Sequence, residues 1–134
     1  MSTIAMCYEA VDDMIGRGWG RIVAITSVSA RQPIPNLVLS NTARAGLTGF
    51  LKTLATEVAA HGVTVNSVQP GLHATQRLRQ LRGDLIAAGR ETPMGVLGDP
   101  DDFGRVVAFL CSTAARFLTG VALPVDGGAS SALQ

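Results

Sequence analysis

The side chains that could do proton chemistry lie in three short segments of this sequence. Ser27 follows an apolar run, Ser40 and Arg44 share the segment Ser-Asn-Thr-Ala-Arg, and His73 lies just after a Pro-Gly pair. The Ser27 hydroxyl can donate and accept hydrogen bonds, and one use for it is to cap the loop that follows a strand. His73 has an imidazole that could donate a proton, or it could be an incidental loop residue. These side chains could therefore take part in hydrogen bonding and proton transfer.

The elements that must position these groups alternate between helices and buried strands. Spacings of three and four predict the helices, whereas short, β-rich apolar runs predict the strands. The predicted helices are Ser2–Gly16, Leu39–Ala60 and one that starts at the Asp99-Pro100 cap; the predicted strands are Arg21–Thr26, Val63–Val68 and Val121–Val125. This order predicts an α/β fold with a parallel sheet and right-handed crossovers. The arginine-rich stretch from Thr75 to Ala88 has weak helical periodicity, which is typical of a mobile lid.

Composition limits the classes of function. The chain has 134 residues, of which 47% are hydrophobic and 16% charged, and this predicts one soluble globular domain. A formal charge of +1 argues against a nucleic-acid groove or a polybasic membrane surface, and no export signal or membrane span is evident. The two cysteines, Cys7 and Cys111, have neither a disulfide nor a metal-ligand pattern, so we expect no metal site and a cytoplasmic location.

Four segments, in order, resemble the short-chain dehydrogenase/reductase family and are most similar to its 3-oxoacyl-acyl-carrier-protein-reductase branch. They are Gly-Arg-Ile-Val-Ala-Ile-Thr-Ser (20–27), Ala-Gly-Leu-Thr-Gly-Phe (45–50), Val-Asn-Ser-Val-Gln-Pro-Gly (65–71) and Leu-Thr-Gly-Val-Ala-Leu-Pro-Val-Asp-Gly-Gly (118–128). The resemblance implies the C-terminal part of a Rossmann-type, doubly wound parallel sheet, namely its last three strands with flanking helices. Residues 1–134 would then form a single partial domain that lacks the N-terminal dinucleotide-binding half.

The resemblance also assigns roles to particular residues. Family members use a serine, a tyrosine and a lysine with NAD or NADP: Ser27 matches the serine, Ser40 stands at the tyrosine position and Arg44 at the lysine position. It further implies that Arg44 binds the cofactor ribose and that Pro70, Gly71 and Thr75 form the loop that contacts nicotinamide.

Two of these positions depart from the family pattern. A phenol near pKa 10 can be tuned toward neutrality by a nearby cation, whereas the pKa of an aliphatic hydroxyl starts several units higher, so Ser40 is a poor substitute acid. Arg44 keeps the charge and could bind ribose, or it could form a surface or interhelical salt bridge. Tyr8 is the only tyrosine and lies in the first predicted helix, where it does not restore the motif. The resemblance also places a family asparagine about one residue before Met1, so the chain is expected to be a truncated form.

Three hypotheses follow. The chain is the remainder of an NAD(P)H-linked enzyme acting on a small carbonyl or alcohol substrate, and is inactive alone. Alternatively, it is a non-enzymatic module that forms homo-oligomers or pairs with a full-length homologue through the 39–60 helix and the final strand. A third hypothesis is an active variant in which Ser40, Asn41 and Arg44 form a different catalytic group within a longer chain.

Three arginines in the predicted lid segment have two possible roles. Arg77, Arg79 and Arg82 could attract an acidic carrier, or they could form a solvated helix face.

Overall fold

Three parallel strands form the centre of the molecule. The structure is a computed structural model, and it describes residues 2–132. Strand β1 is Gly20–Ile25, β2 is Val63–Pro70 and β3 is Ala122–Val125, and the sheet order is β1-β2-β3 with both pairs parallel. The predicted parallel α/β sheet is confirmed.

Five α-helices surround the sheet in the part of the chain that the structure describes. They are α1 (Ser2–Gly16), α2 (Val38–Val58), α3 (Gln76–Arg82), α4 (Leu85–Arg90) and α5 (Pro100–Cys111). Helix α5 starts as predicted, because the Asp99 carboxylate accepts a hydrogen bond from the Asp101 N–H and Pro100 occupies the first turn. The last residues of the predicted 39–60 helix tighten into a 3₁₀ turn, Ala59–His61, which ends at Gly62 with a φ of 74°.

The segment predicted as a lid contains two short helices. Gly83, with a φ of 68°, ends α3, and the Asp84 carboxylate then caps α4 by accepting hydrogen bonds from the Ile86 and Ala87 N–H groups. Each cap satisfies backbone groups that a continuous helix would have bonded internally. The break therefore follows from the Gly-Asp pair.

The helices cover both faces of the sheet. Helices α1 and α2 pack on one face, where Cys7, Leu51, Leu54, Val63 and Val65 belong to one buried cluster. Helix α5 packs on the other face, where a second buried cluster consists of Val68, Leu110 and Ala115. Alternate residues of β2 thus supply opposite cores, as a strand covered on both sides requires. Burial raises the pKa of the Cys7 thiol.

Strand β1 lies at an edge of the sheet. Its side away from β2 has no strand partner among residues 2–132, and the side chain of Ile25, its last residue, is 55% exposed. An edge of this kind can pair with another strand. No helix within the described residues has the length and apolar character needed to cross a lipid bilayer.

Candidate active site at the carboxyl edge of the sheet

The carboxyl ends of β1 and β2 meet at one cavity. In open α/β sheets, ligands bind outside these strand ends. Ser27 lies just past the end of β1, Pro70 and Gly71 lie at the end of β2, and all three line a cavity of about 350 Å³. Its other walls come from the proline-rich loop through Pro35 and from residues 129–130 of the C-terminal tail. We call this cavity the serine cleft.

The Ser27 hydroxyl has a structural role that leaves its proton available. Its oxygen accepts a hydrogen bond from the Ser29 N–H at 3.1 Å and so caps the 3₁₀ turn Val28–Ala30. This is the capping role that the residue type allowed. Because the oxygen is the acceptor in that bond, the hydroxyl proton can still be donated to a ligand oxygen in the cleft.

Gly71 and Asp126 hold the ends of β2 and β3 together. The Gly71 N–H donates to the Val125 carbonyl at 3.0 Å, and a Cβ added to Gly71 would lie 2.6 Å from the Asp126 Cβ. The Asp126 carboxylate accepts hydrogen bonds from the N–H groups of Gly128, at 2.9 Å, and Ser130, at 2.8 Å. These contacts fix the tail as a wall of the serine cleft.

A second wall contact joins the tail to the loop after β1. The Gln32 carboxamide oxygen accepts hydrogen bonds from the Ser131 N–H at 3.0 Å and from the Ser131 hydroxyl at 3.2 Å. Gln32 and Ser130 both line the cleft, and neither was singled out from the sequence. The Ser/Pro-rich composition of the 27–35 segment was the only available signal, and it indicates a loop rather than a site.

Thr75 and His73 lie on the far side of Gly71. Together with Pro70 and Gly71 they line a shallower cavity of about 260 Å³. The Thr75 hydroxyl caps α3 by accepting a hydrogen bond from the Leu78 N–H at 3.2 Å. His73 Nδ1 lies 3.2 Å from the Gly71 carbonyl oxygen, and the ring packs edge-on against Phe103. Pro70 and Gly71 therefore separate the serine cleft from the Thr75 cavity.

Ser40 and Arg44 line a different cavity, between α1 and α2, with a volume of about 400 Å³. We call it the arginine cavity. Arg44 Nη1 donates to the Ile25 carbonyl at 3.2 Å, and no carboxylate in the described part of the chain pairs with Arg44. Ser40 makes no side-chain hydrogen bond to any described residue. The structure thus brings Ser27, Pro70 and Gly71 together but places Ser40 and Arg44 in a neighbouring cavity.

Asn41, Arg82 and Tyr8, which the sequence analysis also considered, make contacts with neighbouring protein groups. The Asn41 carboxamide bonds both backbone groups of Ile34, at 2.9 and 3.3 Å, and so holds the loop before α2. Arg82 forms an exposed ion pair with Glu91, and Tyr8 is exposed with its ring edge against Phe50. Among residues 2–132, no group of three or more potential metal ligands comes together.

Comparison with known proteins places this architecture in a family. Residues 1–130 match the family model described as enoyl-(acyl carrier protein) reductase. The chain is 40% identical over 121 residues to acetoacetyl-CoA reductase of Cupriavidus necator, covering 90% of the chain and 49% of that protein. It is 38% identical over 127 residues to a 3-oxoacyl-[acyl-carrier-protein] reductase of Aquifex aeolicus, covering 94% of the chain and 51% of that protein.

The solved structures agree with the sequence matches. The structure of YwfH, described as an NADPH-dependent reductase involved in bacilysin biosynthesis, superposes with a TM-score of 0.92 at 26% identity and covers 98% of this chain and 55% of that one. The chain therefore spans about half the length of the curated relatives it matches. The resemblance read from the four segments is confirmed, and the chain belongs to the short-chain dehydrogenase/reductase family.

Proposed function

We propose that this chain forms the substrate-side half of an NAD(P)-linked oxidoreductase that interconverts a ketone or 3-oxoacyl group and an alcohol. The observation that carries the proposal is the serine cleft, in which Ser27 and the Pro70-Gly71 turn meet at the carboxyl edge of a parallel sheet. The names of two relatives, acetoacetyl-CoA reductase and 3-oxoacyl-[acyl-carrier-protein] reductase, support a carbonyl substrate. In this proposal Ser27 donates a hydrogen bond to the substrate oxygen.

The residues present fit one end of a nicotinamide dinucleotide. Pro70, Gly71 and Thr75 would contact the nicotinamide, which supplies or accepts a hydride, and Arg44 would approach the ribose beside it. These residues do not provide a site for the pyrophosphate, because that group requires a glycine-rich turn between a strand and a helix N-terminus. The connection from β1 to α2, residues 26–37, contains no glycine, and α3 after β2 has only 7 residues. We therefore propose that the 134 residues alone bind NAD or NADP weakly.

We expect this chain to be poor at proton transfer to the substrate as well as at cofactor binding. Ser40 has the high pKa of an aliphatic hydroxyl, and it lies in the arginine cavity rather than in the serine cleft. The Arg44 guanidinium is held by the Ile25 carbonyl, and its planar fork is not interchangeable with a lysine ammonium. We propose that the chain alone has negligible reductase activity for these two reasons.

A chimaera tests the proposal. The first half of the Cupriavidus necator acetoacetyl-CoA reductase is fused ahead of this chain, and NADPH binding and acetoacetyl-CoA reduction are measured by fluorescence and absorbance. We expect the chimaera to bind NADPH at micromolar concentration and to turn over slowly. The pair of substitutions Ser40→Tyr and Arg44→Lys should raise kcat about 10²-fold or more, since a positioned general acid contributes about 10²–10⁴.

Two control substitutions test whether the gain in kcat depends on Ser27. Adding Ser27→Ala to the double variant should remove most of the gain, whereas adding Ser112→Ala, at the opposite end of the sheet, should leave it unchanged. No gain from the double variant would show that Ser40 and Arg44 do not occupy the proton-transfer positions. Saturable micromolar NADPH binding by the unfused chain would contradict the proposed loss of the pyrophosphate cradle.

A second candidate function is a pairing module for copies of this chain or for a full-length homologue. Its support is exposed apolar surface near α2 and β3: Val38 is 72% exposed, Leu39 is 87% exposed and Phe117, before β3, is 99% exposed. Light scattering after gel filtration tests this, and we expect oligomers that Leu39→Glu and Phe117→Glu dissociate. A compact monomer that does not associate with a full-length relative would exclude the pairing function.

We also propose a cytoplasmic location. Cys7 and Cys111 are free thiols, one buried and one exposed, which fits a reducing compartment. Expression as a fusion with a fluorescent protein, followed by fractionation, tests the location directly.

A further inference from the structure

Three buried polar side chains beneath the serine cleft have no hydrogen-bond partner within the described residues. Gln69 is 0% exposed, and both its carboxamide oxygen and its carboxamide nitrogen are unpaired. The hydroxyls of Ser29, 2% exposed, and Thr26, 4% exposed, are also unpaired. Because a buried polar group without a partner is strongly unfavourable, such groups are nearly always bonded to protein or to ordered water.

The three side chains lie on one side of the sheet. The Thr26 N–H donates to the Val68 carbonyl at 2.9 Å, which extends the β1–β2 ladder by one residue and places Gln69 beside Thr26. Ala24, two residues before Thr26, packs into the α1–α2 core, so Thr26 faces α2. Gln69 has the same parity as the core-facing residues of β2 and faces α2 as well. Ser29 belongs to the 3₁₀ turn that packs against both α2 and β2.

The unpaired groups are complementary to water. The Gln69 carboxamide has two N–H donors and an acceptor oxygen, and each hydroxyl can donate and accept. None of the three groups is charged, so the site offers nothing to balance an ion. Folded proteins hold about one buried water per 27 residues, each making about three hydrogen bonds. We propose that Thr26, Ser29 and Gln69 form a buried hydration site that holds an ordered water molecule.

The hydration site adjoins the residues that line the serine cleft. Thr26 immediately precedes Ser27, and Gln69 immediately precedes Pro70. A water bonded to both strands therefore reinforces the backbone bond between Thr26 and Val68 in holding the two strand ends that line the serine cleft, and Gln69 acts as a positioning residue. This inference requires neither nucleotide binding nor catalysis, so it stands apart from the proposed function.

Water-to-amide magnetisation transfer by NMR on the isotope-labelled full chain tests the site. We expect a cross-peak between water and the Gln69 side-chain amide protons whose sign shows a long residence time. The exposed Gln80 amide serves as the internal control and should show none. The double variant T26V/S29A keeps the reporter but removes two of its partners, and we expect the cross-peak to disappear. Absence of the peak in the original chain, or its persistence in the double variant, overturns the proposal.

Denaturation gives a second readout. Gln69→Met keeps the side-chain length but removes the amide, which leaves the water with too few partners. We expect the urea midpoint to fall by about 0.5 M, while Gln80→Met leaves it unchanged. A higher midpoint for Gln69→Met would mean that the carboxamide is buried without a partner, and it would overturn the hydration site.

Discussion

The serine cleft and the arginine cavity differ in how they are built, although Arg44 reaches a carbonyl only two residues from Ser27. The serine cleft is bounded by strand ends and by backbone contacts such as that of Gly71 with Asp126. The arginine cavity is bounded by surfaces of α1 and α2, where Ser40 has no side-chain hydrogen bond within the described residues. The two positions that depart from the family pattern thus both lie in the arginine cavity. Matched substitutions in the two cavities test this difference.

The largest contrast concerns a glycine in each cavity. Gly71→Ala should lower the free energy of unfolding by about 1–3 kcal/mol, because the new Cβ would lie 2.6 Å from the Asp126 Cβ and the backbone must move. Gly46→Ala should raise it by about 0.5–1 kcal/mol, because Gly46 lies inside α2 with nothing within 4 Å of the added atom. Urea denaturation followed by circular dichroism measures both. Equal effects would remove the contrast between the cavities.

A smaller contrast concerns the two serines. Ser27→Ala removes the cap of the 3₁₀ turn and should cost about 1 kcal/mol of stability. Ser40→Ala should change stability by less than about 0.5 kcal/mol, because no bond is lost and alanine favours the helix. The same denaturation experiment compares them. A large loss for Ser40→Ala would indicate an interaction that the arginine cavity does not show.

The smallest effect is expected at Arg44. Arg44→Met removes the hydrogen bond to the Ile25 carbonyl and should cost about 0.5 kcal/mol, since the bond is exposed to water. Arg79→Met, on the exposed face of α3, is the matched control and should have no measurable effect. If both variants are as stable as the original chain, the hydrogen bond of Arg44 does not stabilise the fold, and the residue at this position can be replaced without loss of stability.

Much of the fold could be predicted from local patterns. The strands were identifiable as short apolar runs, and α5 was identifiable from the Asp99-Pro100 cap. The break at Gly83-Asp84 was missed, although both residues carry cap signals, because the weak periodicity around them suggested one lid segment. The 3₁₀ turn at Val28–Ala30 was also missed, since three residues give no periodicity.

The site could be predicted only in part. Ser27, Pro70 and Gly71 were identified through the family resemblance, and the convergence of strand ends in a parallel sheet explains why they lie at one cavity. The separation of Ser40 and Arg44 from Ser27 depends on how α2 packs against α1, and the sequence does not specify that distance. The roles given to Ser27, Ser40, Arg44 and Thr75 stay predictions until the chimaera is measured.

The tail contact between Gln32 and Ser131 has a practical consequence for handling the protein. It joins residues 99 positions apart in the chain, and with the Asp126–Ser130 bond it holds a wall of the serine cleft. Cleavage of the segment between Asp126 and Ser131 by a contaminating protease would release this contact and loosen the wall. Preparations should therefore be checked by intact mass before any ligand titration.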